Sequence, residues 1–128
     1  MRSGAMRVGF MVAAAAGFWA ASAWESAAWA QDGESLFKRQ CGACHAVDAG
    51  HNKIGPSLFG VAGKKAAGVE DFEYSDALKG ANITWSDDSL AKYLTDPKAF
   101  VPGGKMVYAG MKDPDDVKAV VDYLKTLK

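Results

Sequence analysis

The sequence predicts an all-α fold, a small set of helices joined by Gly- and Pro-rich loops. Three observations predict it. No run alternates apolar and polar residues for long enough to suggest a sheet. Several segments carry an apolar stripe at helical spacing behind an Asp or Ser that can cap it. Between them lie stretches such as 50–65 and 100–109, where Gly and Pro break any periodicity.

The first thirty residues stand apart from this pattern. Arg2 and Arg7 make a basic start, Val8 to Ala23 is an apolar or small-residue run of 16, and Ala28-Trp29-Ala30 has the A-x-A form of a cleavage site. This is the layout of a secretory signal peptide covering 1–30. An uncleaved anchor is the alternative, but 16 residues fall short of the roughly 20 a spanning helix needs, and Glu25 places a charge just beyond the run. Gln31 would then open a single domain, 31–128.

The first helix is expected to start at Asp32 as N-cap, with Glu34 in its first turn and Leu36, Phe37 and Cys41 at helical spacing, and to run to about Cys44. Gly33 would let another backbone approach closely. Ser75 would cap a short helix that Gly80 stops. Ser86 or Asp87 would cap a helix with Leu90, Tyr93 and Leu94 on one face, ended by Asp96-Pro97. The last helix has Asp113 as cap, Pro114 at its first position, and Val117, Val120, Val121 and Leu124 as its stripe. Its partner would be the first helix.

At the end of the first helix stands Cys41-Gly42-Ala43-Cys44-His45. Two thiols three positions apart and an adjacent histidine read as a covalent c-type haem attachment site. Each thiol can add to one vinyl group, and the imidazole of His45 can coordinate the iron. A zinc site would want further Cys or His ligands, and the chain has two cysteines and one other histidine, His51. A thioredoxin-like pair would want a βαβ context, which is not visible. A haem would also supply core to a domain this small, which unaided buries about 65% of its unfolded surface.

Function then depends on the other face of the iron. A methionine thioether would close the site for electron transfer, while an open position would suit a peroxidase or gas-binding protein. After the signal the methionines are Met106 and Met111. Met106 follows Pro102-Gly103-Gly104-Lys105 in a loop able to curve over a flat group, and is the preferred ligand. Met111 and His51 remain as alternatives, the first as a core filler, the second as an exposed loop residue.

Charge narrows the class further. Taking Arg2, Arg7 and Glu25 from 15 basic and 15 acidic residues leaves 13 and 14, a balance that argues against nucleic acid as a partner.

Several motifs occur in order: Gly33-x-x-x-Phe37, Cys41-x-x-Cys44-His45, Gly55-Pro56-x-Leu58-x-Gly60, Phe72-x-Tyr74-Ser75-x-Ala77, Ile83-Thr84-Trp85, Tyr93-Leu94-x-x-Pro97-Lys98, and Pro102-Gly103-Gly104-Lys105-Met106 followed by Ala109-Gly110. In these the chain resembles the class I cytochromes c, over nearly all of Gly33 to Leu127. The resemblance implies the small cytochrome c fold and one haem c, with Cys41 and Cys44 as thioether residues and His45 and Met106 as axial ligands. It implies that the Pro56 carbonyl accepts a hydrogen bond from His45, that Tyr93 bonds near the methionine sulfur, and that Tyr74 and Trp85 hold the haem propionates. It also places Lys53, Lys98, Lys105 and Lys112 around the exposed haem edge, with Lys38 and Arg39 nearby. The chain departs from the family pattern at Gly104, often threonine, at Leu78, an asparagine elsewhere, and at Lys64 in place of an arginine.

The expected protein is a soluble, monomeric periplasmic electron carrier and not an enzyme. Its partners would be a quinol–cytochrome c oxidoreductase as donor and a terminal oxidase, photosynthetic reaction centre or periplasmic dehydrogenase on the other side.

Overall fold

The structure is a computed structural model that describes residues 32–128 together with Gly9 and Gly17. The expected signal peptide lies outside the described residues. Among the described residues five helices succeed one another: α1 Gly33–Gln40, α2 Asp76–Gly80, α3 Asp87–Thr95, α4 Pro97–Phe100 and α5 Pro114–Lys125. Among the described residues the only β pairing is a single antiparallel bridge between Lys65 and Thr84.

α5 forms as its sequence dictates. Asp113 accepts a hydrogen bond from the Asp115 amide at 2.9 Å, Pro114 occupies the first turn, and the stripe Val117, Val120, Val121 and Leu124 is buried. α1 crosses it. An ideal Cβ built on Gly33 would lie 2.0 Å from the Ala119 carbonyl oxygen, so only glycine permits this approach. Leu36 and Phe37 bury themselves at the crossing, and the Phe37 ring meets Tyr123 at 5.4 Å. α3 adds Leu90 and Leu94 to the same core, and Trp85 and Met111 complete it.

Three boundaries differ from the sequence reading. α1 ends at Gln40, not near Cys44. The Cys41 and Gly42 amides both turn to the Phe37 carbonyl, at 2.7 and 2.8 Å, and a separate turn carries Cys44 and His45 back to the Cys41 carbonyl at 3.0 and 2.9 Å. The Asp32 side chain caps no helix amide; it accepts the Ser35 hydroxyl at 3.3 Å instead. Pro97 does stop α3, yet it also starts α4, because Asp96 caps the Ala99 amide at 3.2 Å and proline suits a first turn.

At α3 the cap is Ser86, in a reciprocal box with Ser89. Ser75 caps α2 through the Leu78 amide at 3.1 Å. The long loops 41–74 and 101–113 lie outside these helices and carry the chemistry.

Candidate metal centre

The turn that ends α1 presents Cys41, Cys44 and His45 together, all half-buried. The segment 55–58 then runs back along it. The Gly55 amide donates to the Cys44 carbonyl at 2.8 Å and the Leu58 amide to the Ala46 carbonyl at 2.9 Å. This places the Pro56 carbonyl 2.8 Å from His45 Nδ1. A carbonyl only accepts, so Nδ1 carries the proton and Nε2 keeps its lone pair. Burial pushes the His45 pKa down, against a smaller upward pull from the Pro56 bond, which favours the neutral ring a metal requires.

Gly55 is a site residue to which the sequence reading gave a place in the Gly55-Pro56 loop motif but no role at His45. A Cβ there would stand 2.3 Å from His45 Cε1, 2.7 Å from Nδ1 and 2.9 Å from Nε2. The glycine lets the ring lie flat against the backbone that holds it. Pattern reading finds the Gly-Pro pair but cannot see the ring above it.

The two thiols are unpaired. Burial, with a contribution from Cys44, pushes the Cys41 thiol up to about 11. A thiol held so far towards its neutral form is unlike the acidic nucleophile of a dithiol oxidoreductase. Among the described residues no group of three or more His, Cys, Asp and Glu is placed to hold a metal ion by itself.

Met106 arrives from the other half of the chain, on the loop after α4. Tyr93 on α3 donates its hydroxyl to Met106 Sδ at 3.9 Å. The Tyr93 ring is wedged between Trp85, at 5.0 Å, and Phe100, at 6.3 Å, and burial raises its pKa. Met111, the alternative, is 4% exposed inside the core, where it packs as a filler. His51 is exposed on its turn.

The residues fit a haem c. His45 offers an oriented, neutral nitrogen, and Met106 a soft sulfur steadied by a hydrogen bond. Leu58, Leu78, Ile83 and Tyr93 pack on the core yet stay half-exposed in the polypeptide alone, as walls for a flat apolar group would. Trp85 is buried against Tyr93, while Tyr74 is buried separately beside Phe72, with its hydroxyl accepting the Val69 amide at 3.1 Å. A surface groove of about 730 Å³ between α3, α4 and α5 involves none of Cys41, Cys44, His45 or Met106.

The expected edge lysines differ in their ties. Lys53 donates to the Gly42 carbonyl at 2.9 Å, directly over the Cys-x-x-Cys turn, and Lys112 to the Thr95 carbonyl at 2.8 Å. Lys38 pairs with Glu34 at 2.7 Å on the exposed face of α1. Lys98 and Lys105 are exposed.

The cytochrome c family model matches residues 30–128, the whole of the described domain. The chain belongs to the cytochrome c family. It is 58% identical over 90 residues to a cytochrome c2 of Rhodoplanes tepidamans, covering 70% of this chain and 92% of that protein. It is 57% identical over 88 residues to cytochrome c2 iso-2 of Magnetospirillum molischianum, covering 69% and 91%. Among solved structures, cytochrome cH from Methylobacterium extorquens superposes with a TM-score of 0.69 at 45% identity, covering 73% of this chain and 94% of that one. Membership of the family makes the fold all-α, gives the chain one covalent haem c and makes it an electron carrier. Members of the family are in general carriers and not enzymes. Among the described residues no helix is long and apolar enough to cross a membrane.

Proposed function

We propose that this protein is a soluble, monomeric periplasmic carrier that moves one electron at a time and catalyses no reaction of its own. Cys41 and Cys44 form the thioethers, and His45 and Met106 are the axial ligands. The observation that carries this reading is the pairing of two supports: the Pro56 carbonyl at 2.8 Å from His45 Nδ1, and the Tyr93 hydroxyl on Met106 Sδ. The haem, when bound, supplies the Fe(III)/Fe(II) couple.

The chain's own residues do the rest. Pro56 fixes the His45 tautomer and ring plane, so the donor nitrogen does not have to reorient between redox states. Tyr93 holds the thioether in place. The half-buried walls exclude water, which keeps the local dielectric low and solvent rearrangement small. Tyr74 already accepts one hydrogen bond, from Val69, so its hydroxyl proton is available to a propionate. The indole N–H of Trp85 is the second donor for a propionate.

Residues 1–30 act as an export signal that is cleaved. The A-x-A motif ends at Ala30, and the family match begins at the same residue. Export agrees with covalent haem attachment outside the cytoplasm. The donor is a quinol–cytochrome c oxidoreductase, and the partner on the other side is a terminal oxidase, a photosynthetic reaction centre or a periplasmic dehydrogenase. Nucleic acid is no partner.

Carbon monoxide and voltammetry test the reading. The reduced mature protein should resist carbon monoxide at neutral pH and give a reversible one-electron wave. Rapid carbon monoxide binding would replace the carrier reading with an open-site haem protein.

A further inference from the structure

Residues 105–110 carry Met106, and among the described residues no backbone–backbone hydrogen bond begins or ends on them. The neighbouring anchors lie just outside: the Gly104 amide on the Val101 carbonyl at 3.1 Å, and the Met111 amide on the Leu94 carbonyl at 2.8 Å. The segment is therefore a loop pinned at both ends and unsupported by its own backbone. Val107 adds no packing, being 96% exposed. Tyr108 is different. It turns inward, packs against the core, and donates its hydroxyl to Gln40 Oε1.

Gln40 is the last residue of α1 and precedes Cys41. The Tyr108–Gln40 bond thus joins the loop bearing Met106 directly to the turn bearing Cys41, Cys44 and His45, across 68 positions of sequence. The Tyr93 bond ties Met106 to α3, and the Tyr108 bond ties the same loop to the end of α1. Neither Gln40 nor Tyr108 falls in any motif that the sequence reading singled out.

We propose that Tyr108 and Gln40 form a clasp that keeps the Met106 loop shut over the iron and sets how readily a small external ligand displaces Met106. The clasp rests on Met106 being the axial ligand. Both are positioning residues and touch no reacting atom. The exchange they restrain swaps one lone-pair donor for another, thioether for imidazole nitrogen, with no electron or proton transferred.

Imidazole titration of the oxidised, mature holoprotein tests this, monitored by the change in haem absorbance. Tyr108→Phe keeps the ring and removes the hydroxyl, and Gln40→Leu removes the acceptor. Each should tighten imidazole binding roughly 2- to 12-fold, the span a net hydrogen bond covers. The double variant should match the single variants, since both break one bond. Exchange of the Gly104 and Met111 amides, the hydrogen-bonded anchors of the loop, should quicken in Tyr108→Phe while α5 is unchanged, a response that general destabilisation would not give. Wild-type affinity in Tyr108→Phe, or effects that multiply in the double variant, would overturn the clasp. Met106→Ala separates the two ideas. Much tighter imidazole binding there upholds the ligand assignment whatever Tyr108 does, and unchanged binding there removes the assignment and the clasp with it.

Discussion

Replacing Gly33 with alanine should be among the most damaging single-methyl additions to this protein. The new Cβ would sit 2.0 Å from the Ala119 carbonyl oxygen, 2.6 Å from its carbon and 3.1 Å from Tyr123 Cβ. Ordinary contact begins near 3.4 Å, so α1 and α5 must part by about 1.4 Å. The obstacle is helix backbone, which cannot rotate away as a side chain would. A gap of 0.5–1 Å already forfeits a quarter to a half of each dispersion contact, and the packing of Leu36 and Phe37 in the core they share with α5, including the Phe37–Tyr123 ring contact, weakens as a whole. Overpacking of this kind costs about 1–3 kcal/mol, and a rigid backbone clash belongs at the upper end. Alanine's better helix propensity returns about 0.5–1 kcal/mol. The net loss of about 2–2.5 kcal/mol corresponds to a melting temperature lowered by roughly 8–20 °C in a domain of this size. Thermal unfolding of the holoprotein, monitored by far-UV circular dichroism, measures it. Gly80→Ala is the control, because nothing lies within 4 Å of its Cβ position; its melting temperature should hold or rise slightly. If Gly33→Ala melted within about 2 °C of wild type, the close crossing would not be the device that fixes these helices.

Other perturbations probe different links. Gly55→Ala would drive a methyl into the His45 ring; the expected result is a His45–Pro56 bond broken or rotated, seen as altered axial ligation in the oxidised absorption and paramagnetic resonance spectra, and wild-type spectra would contradict the packing described. Ser86→Ala removes one half of the capping box of α3 and should cost about 1 kcal/mol in urea unfolding; an unchanged midpoint would mean that Ser89, bonded to the Thr84 carbonyl at 2.6 Å, holds the helix start alone. Raising ionic strength should slow electron exchange with an acidic-faced partner, as expected of exposed lysines such as Lys98 and Lys105; rates flat with salt would remove basic-face docking.

How much of the fold and the site is legible in the sequence depends on how local each feature is. α5 is readable in full because its cap, its proline and its apolar stripe all lie within a dozen consecutive residues. The metal centre is readable where it is contiguous, at Cys41 to His45. The end of α1 is not. Leu36, Phe37 and Cys41 share a face whether the chain continues as a helix or tightens into the turn at Cys41, and spacing alone does not distinguish the two. α4 escapes the sequence reading because a proline that stops one helix can open another, and the deciding Asp96–Ala99 bond is a matter of backbone angle. Pro56 is placed opposite His45 through family resemblance and not through residue pattern. Gly55 and the Tyr108–Gln40 pair are out of reach, since each acts on a group that only the tertiary fold brings near.

Sulfur at the iron decides the central claim. X-ray absorption at the iron edge of the oxidised mature holoprotein should show one sulfur and five nitrogen neighbours, and the Met106→Ala variant should show no sulfur. A first shell without sulfur in the wild type, or sulfur that persists in the variant, would contradict the account.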